Sequence, residues 1–249
     1  MIIPAIDLLN NVVVRLTQGR YHTPSYYDID ASQLARRYAT EGAKMLHLVD
    51  LSGAKDAQAR STSGLLALTK STDLAWQVGG GIRSADDIQQ LLDHGVSRVV
   101  VGSMAIRHPE LVVEWLMRFG ADKIVLALDV RPTQDGRWLL PVDGWTTETN
   151  RELKECLAFY ACVGVRHILC TDISRDGTAK GPNVELYRQL CHQYPDIRWQ
   201  ASGGVGSLEH IAQIAATGVA HLIVGKALLD GIFSFKEACI CWQNASSPV

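Results

Sequence analysis

The chain has 249 residues, 47% of them hydrophobic and 20% charged, with a formal net charge of -2, which is enough to bury the core of one α/β barrel or of two smaller domains. Its 24 lysines and arginines are scattered among 26 acidic residues, which argues against a nucleic-acid or membrane surface as partner. The apolar start Met1-Ile2-Ile3-Pro4-Ala5-Ile6-Asp7 has no basic leader and is broken by Pro4 and Asp7, so it reads as neither a secretory signal nor a membrane span, and a cytoplasmic location is expected.

In chain order, short apolar runs at 2–7, 45–50, 75–79, 98–102, 123–129, 166–172, 198–202 and 221–225 read as strands. Helical patterns at 32–41, 61–70, 84–94, 109–119, 150–163, 183–194, 207–217 and 234–242 follow them one by one. Several helices open on Ser or Asn, and Ser84-Ala85-Asp86-Asp87 and Ser207-Leu208-Glu209 add acids in the first turn. Strands this rich in Val, Ile and Leu suit a parallel sheet buried on both faces. Eight alternations predict an α/β protein, a single (β/α)8 TIM barrel over residues 1–244, with a frayed polar tail at 245–249. The six cysteines, at 156, 162, 170, 191, 239 and 241, form no Cys-x-x-Cys pair and no zinc spacing with histidine. Reduced core thiols and no metal are therefore expected. No helix face is apolar enough to predict a dimer, so a monomer is expected.

One segment occurs twice. Trp76-Gln77-Val78-Gly79-Gly80-Gly81-Ile82 through Val101-Gly102-Ser103 matches Trp199-Gln200-Ala201-Ser202-Gly203-Gly204-Val205 through Val224-Gly225-Lys226 at a constant offset of 123 residues. The match extends upstream at an offset of 122, where Gly42 to Ser52 falls on Gly164 to Ser174 and Asp7 falls on Asp129. An open doubly wound sheet has inequivalent edges and does not account for matched halves; a barrel built from two duplicated half-barrels does. Each copy reads as strand, Gly-rich turn, helix, strand and Gly. Gly80, Gly81, Gly203 and Gly204, with Gly102, Ser103, Gly225 and Lys226 on the next strand ends, are thus candidate phosphate contacts in two pockets. Two pockets imply a ligand with two phosphates.

Barrel enzymes carry their reactive groups at strand C-termini, so Asp7 and Asp129 are expected across one mouth, as a general acid and base require. A single strand-end Asp would more simply cap a loop; two at equivalent positions favour catalysis. Thr171, inward on the sixth strand, can hydrogen-bond Asp129 or substrate. His47, inward on the second, is either a substrate contact or a satisfied core histidine. Arg83 follows the first Gly-rich turn where the second half has Gly206, which favours a substrate contact. Trp145 either stacks on a planar heterocycle or packs on the rim. Arg15, on a hairpin at 12–16, is placed in a lid. Gly177 among the phosphate contacts, and Gly19, Asp176 and Ser202 among the substrate contacts, complete the candidate site.

Ile3-Pro4-Ala5-Ile6-Asp7, His47-Leu48-Val49-Asp50-Leu51, Gly79-Gly80-Gly81-Ile82-Arg83, Val101-Gly102-Ser103, Asp172-Ile173-Ser174-Arg175-Asp176-Gly177-Thr178 and Ser202-Gly203-Gly204-Val205 together closely resemble the phosphoribosylformimino-5-aminoimidazole carboxamide ribotide isomerases of histidine biosynthesis. The resemblance covers essentially the whole chain. It implies a half-barrel-duplicated TIM barrel that performs an Amadori rearrangement, aminoaldose to aminoketose, on a bis-phosphate substrate without metal or organic cofactor. It also implies that Asp7 is the general base, Asp129 the general acid that opens the ribose ring, and Thr171 an assisting residue.

Four rivals are weighed. The sister cyclase that makes imidazole glycerol phosphate shares both Asp positions, but typically has Cys where this chain has Ala5 and Lys soon after. Phosphoribosylanthranilate isomerases typically use a first-strand Cys, and no Cys precedes position 156 here; isomerases with two Asp residues that accept both substrates exist, which leaves that breadth open. A Schiff-base aldolase would need a Lys inside the barrel. A non-catalytic phosphosugar sensor would have no use for both Asp7 and Asp129.

Overall fold

The computed structural model describes residues 1–246 and contains eight parallel strands closed into a barrel. They are β1 (Ile2–Leu9), β2 (Met45–Asp50), β3 (Ala75–Gly79), β4 (Arg98–Val101), β5 (Ile124–Ala127), β6 (His167–Thr171), β7 (Arg198–Ser202) and β8 (His221–Val224). Closure falls to β1, which sets Ala5 beside His47 of β2 and Ile3 beside Ile223 of β8. No barrel strand is left with a free edge. The surrounding helices are α1 (Ala31–Thr40), α2 (Thr62–Thr69), α3 (Ala85–Asp93), α4 (Pro109–Phe119), α5 (Leu153–Cys162), α6 (Val184–Gln193), α7 (Leu208–Ala215) and α8 (Phe235–Ser246). The (β/α)8 expectation is met.

Alternation along each strand divides the core in two. Ile3, Ala5, Met45, Val100, Val125, Ala127, Leu169 and Ile223 fill the barrel. Ile6, Leu48, Val99, Leu126, Cys170 and Leu222 point outward against helix residues such as Leu34, Tyr38, Trp115 and Tyr160. Capping sets the helix starts. Ser84 and Asp87 form a reciprocal capping box on α3, and Ser207 and Asn183 cap α7 and α6. At α1 the cap is Asp30, which accepts from the N–H groups of Ser32 and Gln33 at 3.0 and 2.9 Å, so the helix begins one residue before its expected start.

Three differences from the sequence reading have local causes. Residues 150–152 stay extended because Leu140 N–H donates to Arg151 O at 3.0 Å and Leu139 bridges Glu152. The last helix continues to Ser246, so Ala245 and Ser246 of the expected frayed tail are helical, while residues 247–249 lie outside the described residues. All six cysteines are free, but only Cys170 is a buried core thiol; Cys162 closes α5 on its exposed face. Among the described residues no helix is long and apolar enough to cross a membrane.

Three inward histidines are buried, His47 in β2, His167 in β6 and His221 in β8. Burial holds His47 and His167 neutral down to about 4 and His221 to about 3. An unfolded chain takes up these protons near pH 6.5. Each imidazole therefore costs the fold about 1 kcal/mol per pH unit as the pH falls from about 6.5 towards its folded pKa. Half-buried Asp129 and buried Asp176, whose carboxyls are pushed up, act in the opposite direction. The slope is thus best read by difference: His221→Gln should flatten the fall in urea unfolding stability between pH 6.5 and 4.5 by roughly 1 kcal/mol per pH unit, and an unchanged slope would refute the assignment.

Candidate active site

The strand C-termini open into one cavity, and every candidate residue read from the sequence lines it, from Asp7 and Arg15 on the first strand and its hairpin to Gly225 and Lys226 after the last. Asp7 continues the inward series Ile3 and Ala5, and Asp129 the series Val125 and Ala127. The backbone beyond β5 stays paired, with Val130 N–H donating to Thr171 O at 2.8 Å, and this fixes the direction of Asp129.

The two carboxylates have different surroundings. Asp129 accepts from Thr171 N–H and from Trp145 Nε1, each at 3.0 Å. Burial pushes its carboxyl up to about 6, although these donors pull it the other way. Asp7 instead receives Arg15 Nη1 on Oδ2 at 2.5 Å, and Arg15 Nη2 binds Asp176 Oδ1. Arg15 lines the cavity. It sits on the strand Val12–Arg15 that pairs back on β1, with its side chain only 15% exposed, and ties two carboxylates together beneath the mouth.

Trp145 lines the cavity, with its indole N–H donating to Asp129 and its backbone held at φ 69° in the loop that follows β5. Gly19 lies against this ring, so close that a Cβ there would come within 2.7 Å of Trp145 Cε3. Gln18 N–H donates to Asp176 O at 3.1 Å and Tyr21 hydroxyl to Leu51 O at 3.2 Å. These bonds fold the loop after the first hairpin over the cavity.

The Gly-rich turns, which line the cavity, also meet a packing constraint. Gly80 has φ 105°, and a Cβ there would run into the backbone carbonyl of Asp50; Gly204 is held in the same way against Gly181. Glycine is required at these turns by neighbouring backbone as well as by any ligand. The starts of α3 and α7 carry side-chain caps: Ser84 Oγ accepts from Asp87 N–H and Ser207 Oγ from His210 N–H, while Asp87 accepts from the preceding N–H groups of Arg83 and Ser84, and His210 Nδ1 from Gly206 N–H. Two short helices at the cavity, Ser103–Arg107 and Lys226–Leu229, start at Gly102 and Gly225 with no side-chain cap. Their unpaired amides face the cavity from opposite walls, an arrangement that suits two anions. Lys226 is ion-paired with Asp230, which also accepts from Tyr27 hydroxyl at 2.6 Å.

The chain matches the histidine biosynthesis protein family over residues 1–234. This chain belongs to that family. Among its relatives are proteins of Proteus mirabilis, 52% identical, Aliivibrio fischeri, 50% identical, and Alteromonas mediterranea, 46% identical, each aligned over 98% of this chain and 100% of the relative. All three are named 1-(5-phosphoribosyl)-5-((5-phosphoribosylamino)methylideneamino)imidazole-4-carboxamide isomerase.

Within the family match, the sequence reading had assigned no role to Tyr21, Gln77 or Gln200. Tyr21 carried no signal, since its place depends on how its loop folds. Gln77 and Gln200 did carry one, being matched polar residues 123 apart in strands otherwise apolar. The steric argument predicts a graded outcome. Gly80→Ala should lower unfolding stability by well over about 1 kcal/mol, whereas Gly120→Ala, with φ 91° but nothing within 4 Å of the added Cβ, should cost only its backbone strain. Equal urea midpoints for the two variants would contradict it.

Proposed function

We propose that this chain isomerises the bis-phosphorylated ribosylamine of the imidazole carboxamide named for its relatives, converting the N-glycosyl aminoaldose into the aminoketose. The observation that carries the reading is the placement of two carboxylates of unlike environment, Asp7 and Asp129, in one cavity between two uncapped short helices. The helix starts at Gly102 and Gly225 hold the two phosphates, with Lys226 exchanging Asp230 for the phosphate at its end. Phosphates gripped at both ends fix the ribose between the carboxylates and convert much of the barrier into binding.

Asp129 acts first. Its carboxyl, raised to about 6, holds a proton far more readily than a free carboxylate and delivers it to the ribose ring oxygen. The C1–O bond breaks, the nitrogen lone pair forms the C=N bond, and a protonated Schiff base results. Asp7 Oδ2, oriented by Arg15, then takes the C2 proton; the C–H electron pair forms the C1=C2 bond of the enolamine and the C=N pair returns to nitrogen. Tautomerisation of the C2 enol gives the ketone. Thr171 holds Asp129 through its N–H, and Arg83 supplies a positive charge at the edge of the first pocket.

A second donor has an observation in its favour. Asp176 is buried, its carboxyl is also pushed up by burial, and it shares Arg15 with Asp7. The variants separate the two readings. Asp7→Asn and Asp129→Asn should each reduce turnover by on the order of a thousandfold or more while calorimetric binding of substrate persists. Asp176→Asn should lose less and affect KM through the freed Arg15. Full activity in Asp129→Asn with none in Asp176→Asn would transfer the acid role to Asp176.

A pH profile gives an independent check. kcat/KM should fall as pH rises through about 6, the range in which Asp129 loses its proton in the free enzyme. Trp145→Phe removes a donor to the charged carboxylate, so this limb should move to higher pH; a shift to lower pH would count against Asp129 as its source.

A further inference from the structure

One level below the mouth, the barrel holds a polar pair, with His47 and Arg98 in register with Gln77 and His221 in register with Gln200. Gln77 of β3 and Gln200 of β7 are both fully buried and join across the barrel by reciprocal amide bonds, Gln77 Nε2 to Gln200 Oε1 at 2.7 Å and Gln200 Nε2 to Gln77 Oε1 at 2.9 Å. Their neighbours in this interior are Ala5, Val100, Ala127, Leu169 and Ile223. Apolar residues would fill the same space without the cost of desolvating two carboxamides. What distinguishes the pair is a third contact: Gln77 Nε2 lies 2.9 Å from His47 Nδ1. The contact is one-sided, because the residue matched to His47 in the other half is Leu169.

The chemistry at His47 follows from these bonds. The imidazole is buried, 5% exposed, and neutral, so one ring nitrogen carries hydrogen and the other a lone pair. Gln77 Nε2 is a donor and uses one N–H on Gln200, so the second donates to Nδ1. The imidazole hydrogen is then on Nε2, the nitrogen left for the cavity that His47 lines beside Asp7. Reversing both amides would keep the Gln pair, but it would move the hydrogen to Nδ1 and turn a lone pair towards the cavity that holds the Asp7 carboxylate. Coulomb repulsion disfavours that arrangement. An N–H facing a carboxylate is attracted to it.

We propose that the Gln77–Gln200 pair is a tautomer lock that holds His47 as a neutral Nε2–H donor, aimed beside Asp7 at a hydroxyl oxygen of the substrate's ribose. What this donor touches rests on the isomerase reading above; the tautomer itself does not. A neutral donor at this point steadies the oxygen on C2 while Asp7 removes the C2 proton, and adds no cation to compete for that base. Gln77 and Gln200 act through His47 and are positioning residues.

The test begins with unliganded wild-type protein labelled with 15N in histidine, with His47 assigned by the signals lost in His47→Leu. At pH 7 its Nδ1 should show the shift of an unprotonated ring nitrogen and its Nε2 that of a protonated one. Gln77→Glu, equal in size, replaces the donor with an acceptor and should move the hydrogen to Nδ1. Gln77→Met removes the hydrogen bond altogether. Both should lower kcat roughly tenfold or more with a smaller change in KM, whereas a packing role alone would spare the isosteric Glu variant. An Nδ1–H signal in the wild type would overturn the proposal, as would a reversed tautomer in Gln77→Glu with kcat unchanged. If either variant does not fold, the wild-type spectrum still decides the tautomer. Wild-type protein with the expected spectrum but no turnover of the ribosylamine would refute the isomerase reading and leave the tautomer assignment standing.

Discussion

Closure of the sheet on β1 is the constraint from which the rest of the molecule follows. Because β1 pairs with β2 on one side and β8 on the other, side-chain alternation on all eight strands is referred to one axis, and every second residue must face inward. Ile3, Ala5 and Asp7 are successive inward positions of one strand. The small residues below the mouth leave room for a ligand, and the acid above them has nowhere else to point. A shift of one residue in that register would exchange Asp7 for Ile6 or Leu8 and remove the base from the cavity.

The same closure brings together short elements that have no stability of their own. The helices Ser103–Arg107 and Lys226–Leu229 are too short to persist in isolation, yet they are held at the ends of β4 and β8 with bare N-termini. The longer helices α3 and α7 are capped by the side chains of Ser84 and Ser207. The Gly-rich turns beside them let strand, turn and neighbouring loop pass within backbone contact.

Electrostatics then separates two carboxylates that share a matched place in the sequence. Arg15 claims Asp7 and Asp176 together, while Asp129 is left to a backbone N–H and an indole N–H and is raised to about 6. Holding a raised carboxyl at neutral pH costs the fold free energy. The buried imidazoles of His47, His167 and His221 impose the opposite limit on the acid side. The interior polar groups thus set a pH range for the fold as well as a division of labour at the mouth.

By itself the sequence determined the barrel, its eight strands, the two Gly-rich turns and the identities of the cavity-lining residues. These follow from local periodicity and from a repeat at constant offset, both of which are written linearly. It also marked Gln77 and Gln200 as a matched pair, but not that they meet. Only the tertiary structure decided that Arg15 lies between two acids, that Trp145 donates to Asp129, that short uncapped helices stand at the ends of β4 and β8, and that His47 meets Gln77. Each of these depends on the direction of a side chain or amide relative to a residue distant in the chain, and closure of the barrel sets that direction. Spacing along one strand cannot.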